Sequence, residues 1–221
     1  MYDYELGYEL SLSKFNFGAN LYYMDYKDQL VLTGKLNDIG RAVAENVPNS
    51  YRMGIELSAN TQFTEWLNWS LNGTWSKNRI KNYVTYISDE NYKEHSLDWG
   101  TTPISMSPSF MGNSMINIDV IGINIAFQSQ FSTRQYLDNL GLKENSLDPY
   151  LVNHLHMTYN FKVKGVQKVT LGASVYNIFN TKYETNGYSM NMIDANKKLV
   201  TDARFYPMAG TNFLVHTSIL F

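Results

Sequence analysis

The sequence predicts an all-β fold, an antiparallel membrane-spanning barrel wall, and three observations carry that expectation. Apolar and polar residues alternate in run after run, which is the period of a strand with one apolar face. Tight turns and long polar connections follow one another in strict alternation along the 221 residues. Aromatic residues make up 14% of the chain, with 17 tyrosines, and they gather near the ends of the alternating runs. Nowhere are there the roughly 18 consecutive apolar residues that a transmembrane helix needs.

Taken in order, the first run is YELGYELSL, which sets Tyr4, Leu6, Tyr8, Leu10 and Leu12 against Glu5, Gly7, Glu9, Ser11 and Ser13. The next sets Phe15, Phe17, Ala19, Leu21 and Tyr23 against Asn16, Gly18 and Asn20. The third places Tyr51, Met53, Ile55, Leu57 and Ala59 opposite Arg52, Gly54, Glu56, Ser58 and Asn60. The fourth places Leu67, Trp69, Leu71, Gly73 and Trp75 opposite Asn68, Ser70, Asn72, Thr74 and Ser76. Further runs are centred on Phe110 to Ile118, Ile121 to Gln130, Leu151 to Val163 and Lys168 to Tyr176, with a terminal strand from Arg204. The pattern yields about nine strands and little helical periodicity. Short turns are expected at Ser13 to Asn16, Thr64 to Leu67, Asp119 to Gly122 and Lys164 to Gln167. Long loops are expected at Lys35 to Asn49, Ser88 to Thr102, Leu137 to Asp148 and Asn180 to Ala203.

Alternation alone does not say whether the apolar face meets a core or lipid. A soluble β-sandwich or lipocalin-like barrel, with that face inward, is the competing reading. Run length favours lipid, because about nine residues is what a tilted strand needs to cross a bilayer, whereas soluble strands average about five or six. The aromatic positions Phe15, Trp66, Trp69, Trp75, Tyr159, Phe161, Phe213 and Phe221 suit interfacial girdles. Charge agrees: Glu5, Glu9, Arg52, Glu56 and Lys168 all fall on the polar face. A cation facing lipid at mid-bilayer would cost about 2–4 kcal/mol.

Composition excludes other classes. Net charge is -2, so no basic field argues for nucleic acid, and without cysteine there is no disulfide or thiolate chemistry. Nucleotide-binding, hydrolase, zinc-protease and calcium-loop signatures are missing, which predicts a protein that is not an enzyme and needs no cofactor. His154 and His156 share one strand face, where they could hold a metal, with His216 on another strand. Asp89, Glu90 and Glu94 could cup a cation. Hydrated side chains without any metal are the favoured expectation for both groups.

Four stretches go further: MDYKDQLVLTG (24–34), NSYRMGIELSAN (49–60), VYNIFNTKYETNGY (175–188) and YPMAGTNFLVHTSILF (206–221). Together they resemble the carboxy-terminal barrel of TonB-dependent outer-membrane receptors, in the style of Bacteroidetes-type bacteria. The resemblance spans residues 1–221 as a single barrel portion. It implies about nine carboxy-terminal strands of a barrel of about 22, closed by an amino-terminal plug. Such receptors sit in the outer membrane of Gram-negative bacteria and import scarce nutrients with energy passed through TonB. Ligands across the family include iron siderophores, haem, cobalamin and glycans, and an iron–siderophore or similar iron complex is the expectation here. A passive porin or adhesin barrel, or a glycan importer, is the alternative. No signal peptide, TonB box or plug is read in these residues, so the chain is expected to be a carboxy-terminal fragment with an open sheet. The TonB complex would be met through the missing plug. The closing aromatic, with Phe213, Val215, Ile219 and Phe221 on one strand face, matches the signal read by the barrel-assembly machinery.

Ligand contacts are expected from the long loops and the upper lumen wall, where rigid scaffolds carry variable binding segments. Candidates are Arg41, Tyr83, Tyr86, Tyr92, Trp99, Arg134, Tyr136, Tyr183 and Tyr188. Tyrosine and tryptophan can stack on sugars or catecholates, and arginine can pair with carboxylates or ferric-complex oxygens. The loops Ser88 to Thr102 and Leu137 to Asp148 are singled out for nutrient capture.

Overall fold

In a computed structural model describing residues 1–221, the alternating runs become strands. These are β1 (Tyr2–Ser11), β2 (Phe15–Leu36), β3 (Ala42–Gln62), β4 (Leu67–Ser88), β5 (Glu94–Pro103), β6 (Phe110–Val120) and β7 (Ile123–Ser132). After the short β8 (Gln135–Tyr136) and β9 (Ser146–Leu147) come β10 (Tyr150–Val163), β11 (Val166–Tyr176), β12 (Glu184–Ile193), β13 (Leu199–Pro207) and β14 (Asn212–Leu220). One antiparallel sheet runs β1-β2-β3-β4-β6-β7-β10-β11-β14, so nine strands form the wall as the alternation predicts. β5 pairs only with β4, and β1 and β14 lie at the two ends of the path, so the barrel is not closed.

A single layer leaves little to bury. Accessible surface is 14208 Å², against about 10,000 Å² for a compact monomer of this mass. Register explains which side is bare. Leu6 faces Leu21, Leu21 faces Ile55 and Ile55 faces Trp75 across four strands. Beside them, Gly7 faces Asn20, Asn20 faces Glu56 and Glu56 faces Thr74. Because successive side chains point to opposite faces, one side is an apolar band and the other a polar wall. The predicted faces hold through β7, β10 and β11, where Ile125 pairs with Met157 and Ala126 with His156.

Aromatic rings edge the apolar side. Phe63 stacks 6.4 Å from Trp69, and Tyr159 lies 5.3 Å from Phe161, near the short turns. At the other rim Trp75, Phe110 and Phe131 form a chain with centroids 4.4 and 5.7 Å apart. The short turns are as read: Ile121 and Gly122 take φ of 49° and 77°, the two-residue hairpin turn with left-handed residues. Ile121 is therefore a turn residue, not the first of a strand.

The long connections differ from expectation. Only Asn37 to Arg41 links β2 to β3, so most of Lys35 to Asn49 is strand, and β5 occupies much of Ser88 to Thr102. The region Asn180 to Ala203 carries β12 and part of β13, paired as their own hairpin. Backbone pairing continues beyond the apolar band, through short runs that lie within polar-rich stretches. The terminal strand also starts later than Arg204, which belongs to β13. Pro207 ends that strand, and the wall resumes at Asn212.

Leu137 to Asp148 is not a free outer loop. Leu137, Asp138, Asn139, Leu140, Asn145, Ser146 and Leu147 are all buried. Leu140 joins Val31, Val47, Ile80, Tyr83 and Ile104 in a small core at the long-loop end, with Trp99, Leu142 and Leu199 packed against it. The loop folds inward because its polar residues satisfy one another, as described next.

Candidate functional site

The polar wall and the segment between β5 and β6 flank an open cleft of about 470 Å³. Alternate residues of four neighbouring strands supply its floor: Glu5 from β1, Asn20, Tyr22 and Met24 from β2, Arg52 and Glu56 from β3, and Thr74, Ser76 and Asn78 from β4. Its lip is Met106 to Pro108, between β5 and β6. Arg52 Nη1 donates to Ser107 Oγ at 3.1 Å, joining floor to lip. Gly54 permits this floor, since a Cβ there would meet the Trp75 carbonyl and the Tyr22 hydroxyl. The cleft offers a guanidinium, two carboxylates and a set of amides and hydroxyls, a surface for polar and charged ligands.

Two buried asparagines and one aspartate hold the lip. Ser105 N donates to Asn139 Oδ1 at 2.8 Å, and both Ser105 Oγ and Asn139 Nδ2 donate to the Leu32 carbonyl at 2.9 Å. Asp138 is 1% exposed. Its Oδ2 accepts from Asn145 Nδ2 at 2.7 Å, Ser189 Oγ at 2.8 Å and Asn191 Nδ2 at 3.0 Å, tying the loop to β12. Leu140 N donates to Asp138 Oδ1 at 3.0 Å. At the loop's neck Arg134 donates to Ser146 Oγ and to Asp148 Oδ1, each at 2.6 Å.

The predicted contact residues do not converge. Tyr83 is 5% exposed, and its hydroxyl donates to Glu45 Oε1 at 2.7 Å. Burial, then that bond, raises its pKa well above the tyrosine range. Trp99 packs on the same core, with its Nε1 buried and unpartnered. Both are packing residues. Tyr86 is 61% exposed on the opposite face of β4. Arg41 and Tyr92 lie at hairpin tips, Arg41 N donating to Asn37 Oδ1 at 2.9 Å and Tyr92 N to the Asp89 carbonyl at 3.0 Å. Arg134 is spent on its clamp, and the Tyr136 carbonyl accepts from Met106 N at 2.8 Å. Tyr183 packs 4.8 Å from Tyr150, and Tyr188 lies 6.2 Å from Tyr206.

His154 and His156 do share the polar face, their rings 6.4 Å apart and each within 5.6 Å of Tyr176. Asn177 N donates to His154 Nδ1 at 3.1 Å, and His156 Nδ1 lies 2.9 Å from Ser174 Oγ. His216 lies over Gly172 on the next strand pair. Asp89 is paired with His95 at 2.9 Å, a partner the sequence reading did not consider. Sequence reading placed Arg52 and Glu56 on this wall but missed Tyr22, Asn78 and Ser107 as lining. Register could have found the first two, since both sit between outward-facing neighbours. Ser107 lies in a segment without periodicity.

An open antiparallel sheet with one apolar band, aromatic rims, tight turns at one end and long hairpins at the other defines the wall of a transmembrane β-barrel. Residues 2–178 match the family described as TonB dependent receptor-like, beta-barrel, and the chain belongs to that family. Among curated proteins compared by sequence, none matches. Solved structures similar to it include the ferric yersiniabactin uptake receptor FyuA from Yersinia pestis, at 18% identity and TM-score 0.69, covering 99% of this chain and 29% of that one. The siderophore receptor PiuA from Acinetobacter baumannii is similar at 15% identity and TM-score 0.69, with 99% and 28% covered. The copper transporter OprC is similar at 17% identity and TM-score 0.64, with 99% and 31% covered. At such identities the likeness is one of fold, and the chain spans less than a third of each of these structures.

Proposed function

We propose that the chain forms part of the barrel wall of an outer-membrane receptor of a Gram-negative bacterium, importing an iron–siderophore or similar iron complex with TonB-supplied energy. Family membership over residues 2–178 is the observation that carries this reading. The polar cleft around Arg52 and Glu56 supports it, because charged and hydrogen-bonding groups suit a hydrophilic cargo and a polar plug. On this reading the long hairpins lie outside the cell and the short turns in the periplasm. Capture at the surface falls to the exposed tips, Arg41, Tyr92 and the β4–β5 hairpin, while the Leu137 to Asp148 loop shapes the lumen beneath them. Remaining strands and a plug from the same receptor would complete the barrel and meet TonB. The face of β14 holding Phe213, Val215 and Ile219, with Phe221 just beyond it, serves the assembly machinery.

The test is a receptor gene deleted for the region encoding these residues, in iron-starved cells offered radiolabelled ferric siderophores or labelled glycans. Loss of iron uptake with glycan uptake intact is the expected result. Unimpaired uptake of every ferric complex offered would overturn the iron reading, and loss of glycan uptake alone would move the cargo to that class.

A further inference from the structure

We infer that the outward face of β4 above Trp75 binds the phosphate groups of outer-leaflet glycolipid. Lys77, Arg79 and Lys81 follow Trp75 at alternate positions, and pairing fixes their side: Lys77 is opposite Met53 and Arg79 opposite Tyr51, both on the apolar face. Lys81 Nζ lies 5.3 Å from the centre of the Tyr51 ring, which is itself 6.2 Å from Tyr23. Three cations thus stand in a row on the face that, a rung lower, presents Trp75 packed on Phe110.

None of the three has a counter-ion. The ion pairs of the molecule are Asp89–His95, Arg134–Asp148 and Arg204–Asp202. Arg79 Nη1 donates to the neighbouring Asn78 carbonyl at 3.1 Å, which leaves most of its fork open. Two nearby carboxylates are Asp25 on β2, opposite Tyr51, and Asp98 on β5, opposite Val84. Asp98 accepts from Gly100 N at 2.9 Å, and neither acid reaches the cations.

Height selects the occupant. Each rung of a strand tilted by about 45° climbs about 5 Å, and the headgroup zone is about 5–8 Å deep on each side of the hydrocarbon. Lys77 and Arg79 therefore start within or just above that zone, and their flexible stems can bend toward it. A guanidinium fork matches phosphate oxygens in bidentate fashion, and flanking ammonium groups add point charges. Each basic residue at an anionic surface strengthens binding about fivefold. The inference rests on the outer-membrane reading for the identity of the lipid, whereas the site itself is tested on purified protein.

The experiment is a titration of the complete receptor that carries these residues, purified in non-ionic maltoside detergent, with diphosphorylated lipid A, its dephosphorylated form, and inorganic phosphate. Bound lipid is counted by native mass spectrometry. We expect K77Q/R79Q/K81Q to weaken lipid A binding at least tenfold, and K77R/R79K/K81R to retain it. A matched triple at the opposite end, K162Q/K164Q/K168Q, should bind as the parent does. Far-UV circular dichroism establishes that each variant keeps its sheet. Equal binding by the parent and the β4 glutamine variant would overturn the site. So would equal binding of dephosphorylated lipid, or displacement of lipid A by millimolar inorganic phosphate. Because no transport is measured, a failure of the iron-uptake reading leaves this result legible.

Discussion

Asp138 is a buried carboxylate with no cation beside it, held by donors from Leu140, Asn145, Ser189 and Asn191. Removing one partner of such a network strands the others, at about 1–3 kcal/mol for each unsatisfied group. We expect Asp138→Ala to cost on the order of 3 kcal/mol locally, seen as faster hydrogen exchange in 137–148 and β12 with β6, β7 and β10 unchanged. Unaltered exchange in β12 would mean the network does not hold the loop. Asp89, at the β4–β5 turn, has its carboxyl held below the usual aspartate range, first by the His95 hydrogen bond and then by the Lys93 N–H. A depressed folded pKa contributes order that is present above the unfolded value, about 3.9, and is lost as pH falls through the folded one. The turn is therefore expected to stay intact from pH 7 to 5 and to loosen below about pH 4. Chemical shifts of the Asn91 and Lys93 amides, which donate to Asp89 Oδ1 at 2.9 and 3.0 Å, report this. Asp89→Asn should abolish the transition, and a transition that persists in that variant would assign it elsewhere.

For the strands, register decides everything, since a slip of one residue exchanges the two faces. Leu57 pairs with Ala19 and Gly73 in the apolar band, whereas Asn72 pairs with Ser58 and Asn113 on the polar wall. Single cysteines at Asn72 and Glu56 should react with a water-soluble maleimide in lipid vesicles. Cysteines at Leu57 and Leu171 should stay at least tenfold slower, because lipid covers them. The reverse order of rates would invert the face assignment. Strand parity within the apolar band was readable in the sequence, although Ile121 belongs to the turn before β7. Hairpin extensions such as β5 and β12 were missed: Leu97 and Trp99 alternate with Ser96 and Asp98, and Tyr188, Met190 and Met192 with Gly187, Ser189 and Asn191, but these runs are short and lie within stretches whose polar composition reads as loop.

Over the whole molecule, the sheet curves without meeting itself, and β1 and β14 each have a single neighbour. Unpaired N–H and C=O groups cost several kcal/mol each in hydrocarbon, and in water an open edge templates association. The 221 residues refolded alone in detergent are expected to show no heat-modifiable compact monomer and no stable pores in planar bilayers. A compact, heat-modifiable monomer with steady single-channel conductance would show that these strands close on themselves.

What the sequence determined by itself was the wall: the number of strands in it, the tight turns, and which side chains fall on its apolar face. Those features follow from a local rule, the alternation of apolar and polar side chains along each strand, and need no knowledge of distant residues. Only the tertiary structure decided the site. Tyr83 and Trp99 looked like ligand contacts and became core, while Asp138, Asn139 and Asn145, silent in the sequence, hold the lip of the cleft over Arg52. A polar residue in a loop can face water, a ligand or another buried polar group. Which one it meets depends on partners tens of residues away, such as Ser189 and Asn191 for Asp138.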